Sequence, residues 1–130
     1  MSLASRLRAG ETIYSGWSSM TDTLVMEALC RTRLSAVLLD MQHGAHDTAS
    51  VVALTGVLRS AGKHTAVRVP VGRFDMASRA LDIGAEAVIA PMINTVADAK
   101  LFAAAMKYPR LGERSRGQLR GRPGGYVSGG

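Results

Sequence analysis

Ala36-Val-Leu-Leu-Asp40 is a short run of apolar residues that ends on an acid, and two runs of the same kind follow it in the chain. They are Thr65-Ala-Val-Arg-Val-Pro70 and Ala87-Val-Ile-Ala-Pro91. Continuous rather than alternating hydrophobicity is typical of strands that are buried on both faces, as in a parallel sheet. Residues 12–17 are a weaker candidate that precedes the other three. The sequence therefore predicts four strands of a parallel sheet.

The segments between these runs have helical spacing and signals for helix starts. The predicted starts are Asp22, Asp47, Asp75 and, in a capping box with Asp98, Thr95. In the first of these helices the predicted apolar face consists of Leu24, Val25, Ala28 and Leu29. The helix after Asp75 is expected to cover residues 76–83 and to end at Gly84. Strand and helix thus alternate four times.

Repeated βα units with short connections imply right-handed crossovers and an α/β fold. Two forms stay open, an open doubly wound sheet and part of a (βα)8 barrel. Four units are half of such a barrel, which usually takes about 250 residues. We assign residues 1–109 to this domain and residues 110–130 to a basic, glycine-rich tail. The tail has too few large apolar side chains to offset its ordering entropy, so we expect it to be disordered.

The positive charge of the chain lies mostly in this tail. The formal net charge is +6 at pH 7, and five arginines lie from Arg110 onward beside one acid, Glu113. The tail resembles basic RNA-binding segments, but it lacks repeated Arg-Gly-Gly units, so we interpret it as passive and expect no nucleic-acid partner. The chain has one cysteine, Cys30, and no apolar run near the roughly 20 residues of a membrane span. These features favour a cytoplasmic protein without a membrane partner.

Candidate reactive groups follow the second predicted strand, in Asp40-Met-Gln-His-Gly-Ala-His46. In parallel α/β folds such groups lie at the C-terminal ends of strands. Asp40 precedes His43 by three residues, so its carboxylate can accept the imidazole N–H and support His43 as a general base. Gln42 can form a hydrogen bond to a ligand from the same loop. In the alternative, His43 caps the turn and Asp40 binds backbone amides, and we expect His46 to face solvent.

Arg68 lies inside the third apolar run. A guanidinium cannot be buried without an anionic partner, which is either a protein carboxylate or a ligand carboxylate held through two hydrogen bonds. The first alternative is a structural pair with Asp40 or Asp75. In the second, Arg68 binds the carboxylate of an oxo-acid and stabilises the developing enolate. Arg73 is interpreted as a solvated charge.

The positions of the lysines separate two kinds of aldol chemistry. A Schiff-base aldolase needs a buried lysine at a strand end. Lys63, Lys100 and Lys107 are the only lysines, and none follows a predicted strand. Metal-assisted enolisation is therefore favoured, although it needs carboxylate ligands and no convincing pair of these lies near His43.

Five ordered motifs resemble those of the HpcH/HpaI aldolases, which are grouped with the citrate lyase β-subunits. The motifs are Leu38-Leu-Asp-Met-Gln-His-Gly44, Val67-Arg-Val-Pro70, Asp82-Ile-Gly-Ala85, Ala90-Pro-Met-Ile93 and Tyr108-Pro-Arg-Leu-Gly-Glu-Arg-Ser-Arg-Gly117. The resemblance covers residues 5–117. It implies the N-terminal half of a TIM barrel and reversible, metal-dependent cleavage of 4-hydroxy-2-oxo acids to pyruvate and an aldehyde.

The same resemblance implies roles for individual residues. His43 matches the family's base or base-positioning histidine, Asp40 the acid that orients it, and Arg68 the arginine that binds the pyruvate carboxylate and enolate. The family's metal, Mg²⁺ or Mn²⁺, is held by a Glu and an Asp at the ends of the fifth and sixth strands. Because the chain does not reach these strands, no metal ligand is assigned.

Two functional hypotheses follow. The first is a carbon-carbon lyase of this family that is truncated and incomplete for catalysis, with an oxo-acid substrate and a homo-oligomeric assembly. The second is a catalytically inactive half-barrel that acts as a self-associating interaction module, since an open half-barrel exposes strand edges and apolar helix faces.

Overall fold

The structure is a computed structural model that describes residues 1–108 together with Gly112 and Arg114. The elements are α1 (Leu3–Arg8), β1 (Ser15–Ser18), α2 (Thr23–Cys30), β2 (Ala36–Asp40), α3 (Thr48–Ser60), β3 (His64–Arg68), α4 (Phe74–Ile83), β4 (Ala87–Ile89) and α5 (Val96–Met106). The alternation of strand and helix from β1 to α5 confirms the predicted pattern. The expectation of a passive, disordered tail over residues 110–130 falls, apart from Gly112 and Arg114, outside the described residues.

The strands form one parallel sheet in the order β1-β2-β3-β4. A doubly wound sheet reverses its strand order at a switch point, whereas a barrel keeps chain neighbours adjacent in the sheet. The sequential order therefore decides between the two forms that the sequence left open. The described chain is four βα units of a (βα)8 barrel, preceded by the short helix α1.

The two faces of the sheet have different environments. On the face that corresponds to a barrel interior, the register places Asp40 beside Arg68 and Arg68 beside Ile89. The opposite face carries Val37 and Leu39 against the helices, where both are fully buried. The core between sheet and helices consists of Met26, Val37, Leu39, Val51, Leu54, Leu58, Val67, Val69, Ala77, Ala80, Ile83 and Ala85. Removal of these apolar surfaces from water is the main stabilising contribution to the fold.

Helix α2 starts where predicted but buries a different face. The Asp22 carboxylate accepts hydrogen bonds from the amides of Leu24 and Val25. The buried residue is Met26, with Leu29 and Cys30 packed against the same core, while Leu24 is 72% exposed. The predicted face was therefore wrong, because nearly every position of this helix is apolar and two stripes with i, i+3, i+4 spacing fit equally well.

Helix α4 begins two residues earlier than the sequence predicted. Its N-cap is Arg73, and Asp75 lies in the first turn rather than at the cap. The Asp75 carboxylate accepts two hydrogen bonds from Arg73, each of 2.9 Å, and both side chains are exposed. The helix dipole also favours an acid in the first turn. Asp75 therefore indicated roughly where the helix starts but not its first residue. Gly84 ends the helix at φ 117°, as predicted.

The remaining caps match the predictions. Asp47 and Ser50 form a reciprocal capping box at the start of α3. The Thr95 hydroxyl accepts a hydrogen bond from the amide of Asp98 at 3.1 Å and donates one to its carboxylate at 2.7 Å. Such caps satisfy amides that the helix itself leaves without partners.

Helix α1 was not predicted. It is only six residues long, and it contacts Ser35 and Glu86, which precede β2 and β4 at the end of the sheet opposite to the candidate site. The amide of Leu3 donates to the Glu86 carboxylate at 2.8 Å, and the same oxygen lies 2.5 Å from His64 Nδ1.

Among the described residues, no helix has the length and apolar character needed to cross a bilayer.

Candidate active site at the carboxyl ends of the strands

Asp40, the last residue of β2, is the centre of a hydrogen-bonded cluster. Its side chain is 2% exposed and faces the barrel interior. One carboxylate oxygen accepts from Arg68 Nε at 2.9 Å and from the amides of Gln42 and His43 at 2.9 and 3.3 Å. The other oxygen accepts from Arg68 Nη2 at 2.6 Å and from Trp17 Nε1 at 3.2 Å. Buried charge is thus matched by charge and by directed donors.

These donors stabilise the ionised form of the acid. The bidentate hydrogen bonds of Arg68 hold the pKa of Asp40 well below its usual range, and the amide of Gln42 and the Trp17 indole act in the same direction. Burial opposes this shift but does not outweigh it. The same contact raises the pKa of Arg68. The pair therefore favours the charged form of both groups.

Arg68 is oriented by two neighbours. Asp40 binds it edge-on, and its guanidinium carbon lies 4.9 Å from the centroid of the Trp17 ring. A guanidinium has five N–H donors, and Asp40 takes one from Nε and one from Nη2. Its side chain is 20% exposed, so the guanidinium is not fully enclosed. Of the two alternatives from the sequence, the pair with Asp40 is present, and it leaves donors for a second anion.

His43 lies at the same strand end but contacts Asp40 differently from the prediction. Its backbone amide donates to the Asp40 carboxylate, and its side chain is exposed. Within the described part of the chain, the predicted hydrogen bond from the His43 ring to Asp40 is absent, because the acid is already occupied by Arg68, Trp17 and two amides. This correction concerns the contact only. The base role of His43 stays a prediction.

Gln42 is half-buried in the same loop, and its amide donates to Asp40. A side-chain contact of Gln42 to a ligand remains a prediction.

Gly44 follows at a point where the chain passes very close to its own backbone. A Cβ added there would lie 2.4 Å from the Asp40 carbonyl oxygen and 3.0 Å from Ser19 Cα. The loop from Asp40 to Gly44 is thus held tightly against β2.

His46 was expected to face solvent, and this expectation was wrong. The side chain is 5% exposed and lies between two hydroxyl groups. Its Nε2 is 3.0 Å from Ser18 Oγ, and its Nδ1 is 3.1 Å from Ser50 Oγ. Burial lowers the pKa of His46 below 6.5, so the neutral ring is favoured. The ring joins the end of β1 to the start of α3 across the loop that carries His43.

Trp17 and His46 are the two residues of this region that the sequence did not single out. The sequence alone assigned no role to Trp17, and it placed His46 in solvent. Its role depends on the register that sets β1 beside β2, and the hydroxyl partner of His46 on β1 lies 28 residues away in the chain. No pattern within a short stretch of sequence indicates partners that are this distant in the chain.

A divalent metal would need several oxygen or nitrogen ligands around one point. In residues 1–108, Gly112 and Arg114, no three His, Cys, Asp or Glu side chains are grouped so that they could hold a metal ion. Asp40, the one buried acid of the cluster, is engaged by Arg68 and Trp17. The described residues therefore do not fit a complete metal site.

A comparison with known protein families supports the assignment that the motifs suggested. The sequence model of the HpcH/HpaI aldolase/citrate lyase family matches residues 14–121 of this chain. The chain belongs to the HpcH/HpaI aldolase/citrate lyase family. That match includes all four strands and the Asp40, His43 and Arg68 positions.

Individual members of the family are similar over most of this chain. A hydroxypyruvate/pyruvate aldolase of Roseobacter denitrificans is 32% identical over 120 residues, which are 92% of this chain and 47% of the relative. One of Rhizorhabdus wittichii is 37% identical over 111 residues, 85% of this chain and 44% of the relative. The crystal structure of an HpcH/HpaI aldolase from Desulfitobacterium hafniense has a TM-score of 0.82 at 27% identity, covering 90% of this chain and 46% of that one.

The chain spans about half the length of these relatives. This agrees with four βα units of an eight-unit barrel and with a resemblance to the N-terminal half only. Both curated relatives are named as aldolases.

Proposed function

We propose that this chain provides the oxo-acid-binding half of a class II aldolase that reversibly cleaves a 4-hydroxy-2-oxo acid to pyruvate and an aldehyde. One observation carries the proposal. Arg68 lies at the carboxyl end of β3 in a bidentate pair with a buried acid and against an indole ring, and its side chain is 20% exposed. A cation that is oriented in this way, at the end where parallel barrels bind substrates, suits a planar carboxylate.

The site residues divide the reaction between them. Arg68 binds the carboxylate of the oxo-acid and balances the negative charge of the enolate that forms beside it. His43, exposed at the same strand end, takes the proton from the 4-hydroxyl group. The bond between carbons 3 and 4 then breaks, the aldehyde leaves, and carbon 3 of the enolate is protonated to give pyruvate. Gln42 contributes a hydrogen bond to the substrate, and Asp40 orients Arg68 and the two loop amides.

The metal is the part of this proposal that the described residues do not supply. The family is generally dependent on a divalent metal, and Mg²⁺ or Mn²⁺ is the proposed cofactor. Such an ion stabilises an enolate oxygen. Because the described residues do not form a metal site, its ligands have to come from outside them. We therefore propose that this chain alone binds the oxo-acid but shows negligible aldolase turnover, even with added Mn²⁺.

Two further properties belong to this proposal. We place the protein in the cytoplasm, because its single Cys30 gives no internal disulfide. We also propose that it forms a homo-oligomer.

The binding step can be tested without turnover, because Trp17 is the only tryptophan and lies beside Arg68. Titration with pyruvate or with oxalate, a planar enolate mimic, is expected to change the Trp17 fluorescence in a saturable way at fixed ionic strength. The change should be lost in Arg68→Met and retained in Arg73→Met, which removes an arginine from an exposed pair. An equal response of Arg68→Met and the unaltered chain would contradict the proposal, as would an equal response to chloride.

A further inference from the structure

The loop that carries His43 is tied to the end of β1 as well as to its own strand. The amide of Ala45 in this loop donates to the carbonyl oxygen of Ser19 at 2.9 Å. One residue later, His46 Nε2 lies 3.0 Å from Ser18 Oγ. A backbone contact and a side-chain contact therefore hold the loop against two consecutive residues at the end of β1.

The other side of the His46 ring contacts the start of α3. His46 Nδ1 lies 3.1 Å from the hydroxyl oxygen of Ser50, which forms the capping box of α3 with Asp47. The ring is 5% exposed, so its two hydrogen bonds are shielded from water. Buried polar groups are costly to leave without a partner. The mechanism proposed above does not use this ring, although it joins β1, α3 and the loop of the proposed base.

The partners of the two hydroxyl groups favour a neutral ring with its proton on Nε2. The Ser18 hydroxyl donates to the carbonyl oxygen of Met20 at 3.0 Å, which leaves its lone pairs for an N–H at Nε2. The Ser50 hydroxyl lies within hydrogen-bond distance of both Nδ1 and the Asp47 carbonyl oxygen, so it can donate to either. Donation to Nδ1 completes the hydrogen bonding of the neutral ring.

A second proton on His46 creates a buried charge. The Ser50 hydroxyl can then donate to the Asp47 carbonyl oxygen and accept from Nδ1, so the hydrogen bonds themselves survive protonation. Among the described residues, however, no carboxylate forms an ion pair with the ring. Burial lowers the pKa of His46, and the distant charges of Asp40 and Asp47 oppose this shift without outweighing it. A buried charge without a partner is strongly destabilising.

The charged groups of the surrounding elements offer no closer partner. Those on β1, β2, α3 and the loops after the two strands are Asp22, Asp40, His43, Asp47 and Arg59. Asp22 binds amides of its own helix, and Asp40 binds Arg68. Asp47 caps α3, and Arg59 lies in the last turn of that helix. A protonated ring therefore gains a favourable environment only by leaving its site for water, and the loop has to move with it.

We propose that His46 is a positioning residue of the candidate active site: its neutral ring holds the loop that carries His43 against the end of β1, and protonation of the ring releases the loop. Release also withdraws the amides of Gln42 and His43 from Asp40, which orients Arg68. The inference rests on the proposed function only in that His43 is the proposed base. Movement of the loop requires neither substrate nor turnover.

Amide hydrogen exchange of the full chain, followed by NMR, tests the release without a ligand. Protection factors, which remove the intrinsic pH dependence of exchange, are measured for Gln42, His43 and Ala45 at pH 7.5 and pH 5.5. In an open loop the ring has an ordinary pKa of about 6.5, so about nine-tenths of it is protonated at pH 5.5. The protection of the three amides is therefore expected to fall by up to about tenfold at the lower pH.

Two variants assign this response to the ring and its partner. His46→Phe keeps a buried aromatic ring but removes both hydrogen bonds and the titration. Its loop amides should be less protected than those of the unaltered chain at pH 7.5 and should not change between the two pH values. Ser18→Ala removes one partner alone and should lower the protection at pH 7.5. Thr55→Val is the matched control, because it removes a buried hydroxyl group that has no hydrogen-bond partner among the described residues, and it should leave the loop unchanged.

The link to the site is measured by oxalate binding at pH 7.5, followed by Trp17 fluorescence. His46→Phe is expected to weaken this binding several-fold and Thr55→Val to leave it unchanged. Failure of the unaltered chain to bind oxalate would contradict the proposed function, while the pH response of the ligand-free loop would still decide the role of His46. Equal protection at the two pH values in the unaltered chain overturns the inference. So does a pH response that His46→Phe retains, or oxalate binding that His46→Phe leaves unchanged.

Discussion

Asp40 Oδ2 and Arg68 Nη2 lie 2.6 Å apart across the paired ends of β2 and β3, and their register partners are each other. The pair therefore joins two strands at the point where the substrate is proposed to bind. It also has two functions that compete. The donors of Arg68 that stabilise Asp40 are not available to a ligand, so binding depends on the donors that remain.

Replacement of Asp40 by Asn is the first prediction. The change keeps the shape but removes the charge that balances Arg68 in a largely buried position. The free energy of unfolding is expected to fall by about 2 kcal/mol. Urea titration followed by circular dichroism measures this loss. Asp75→Asn is the matched control because that acid forms an exposed pair with Arg73, and it should cost clearly less. Equal losses in the two variants would contradict the importance of the buried pair.

The second prediction concerns acid. Because Arg68 lowers the pKa of Asp40, the unfolded chain takes up a proton on this acid more readily than the folded one. The stabilisation is therefore fully present above the unfolded pKa of about 3.9 and is lost as pH falls further toward the folded value. Unfolding free energies measured between pH 6 and pH 2.5 should decline less steeply in Asp40→Asn than in the unaltered chain. Parallel curves would contradict this.

The features that the sequence predicted are those that depend on residues close to each other in the chain. β2 was predicted to the residue, since an unbroken apolar run bounded by polar positions leaves little freedom for a strand buried on both faces. The helix caps at Asp22, Asp47 and Thr95 were predicted because side-chain capping is a local interaction. These elements, with the short connections between them, were sufficient for the fold class.

The rest was not predictable because it depends on partners that are distant in the chain. The buried face of α2 is chosen by what packs on it, and its sequence is apolar almost all round. The burial of His46 requires Ser18, which lies on another strand. Asp40 had two cationic candidates, and the sequence spacing favoured the nearby ring of His43, whereas the strand register favours Arg68.

The third prediction concerns His46. Burial lowers its pKa, so the unfolded chain binds a proton on this ring more readily than the folded one. The stabilisation that comes from the neutral His46 ring is fully present above an unfolded pKa of about 6.5. It is lost as pH falls from there to the lower folded value. His46→Gln, which keeps polar atoms near Ser18 and Ser50, should reduce the change in unfolding free energy between pH 7.5 and pH 5. A change in unfolding free energy over this range that is equal in His46→Gln and in the unaltered chain would contradict this prediction.

The fourth prediction is that Gly44→Ala disturbs the loop that carries His43. The added methyl group would lie 2.4 Å from the carbonyl oxygen of Asp40 and 3.0 Å from Ser19 Cα. Because both neighbours are backbone, the strain cannot be relieved by a side-chain rotation, and the loop has to move away from β2 at a cost of about 3 kcal/mol. Urea titration should show this loss, and the Trp17 response to oxalate should weaken, since the loop amides also bind Asp40.

Gly62→Ala separates this crowding from the general effect of replacing a glycine. Gly62 has φ +72° and nothing within 4 Å of an added Cβ, so its substitution carries only the cost of a left-handed backbone, about 1 kcal/mol. It lies between α3 and β3, at the end of the sheet opposite to Asp40, and its variant should keep the oxalate response. If Gly44→Ala is no more destabilising than Gly62→Ala and binds oxalate equally well, the loop does not depend on its close approach to β2. The amide contacts to Asp40 would then not position the site.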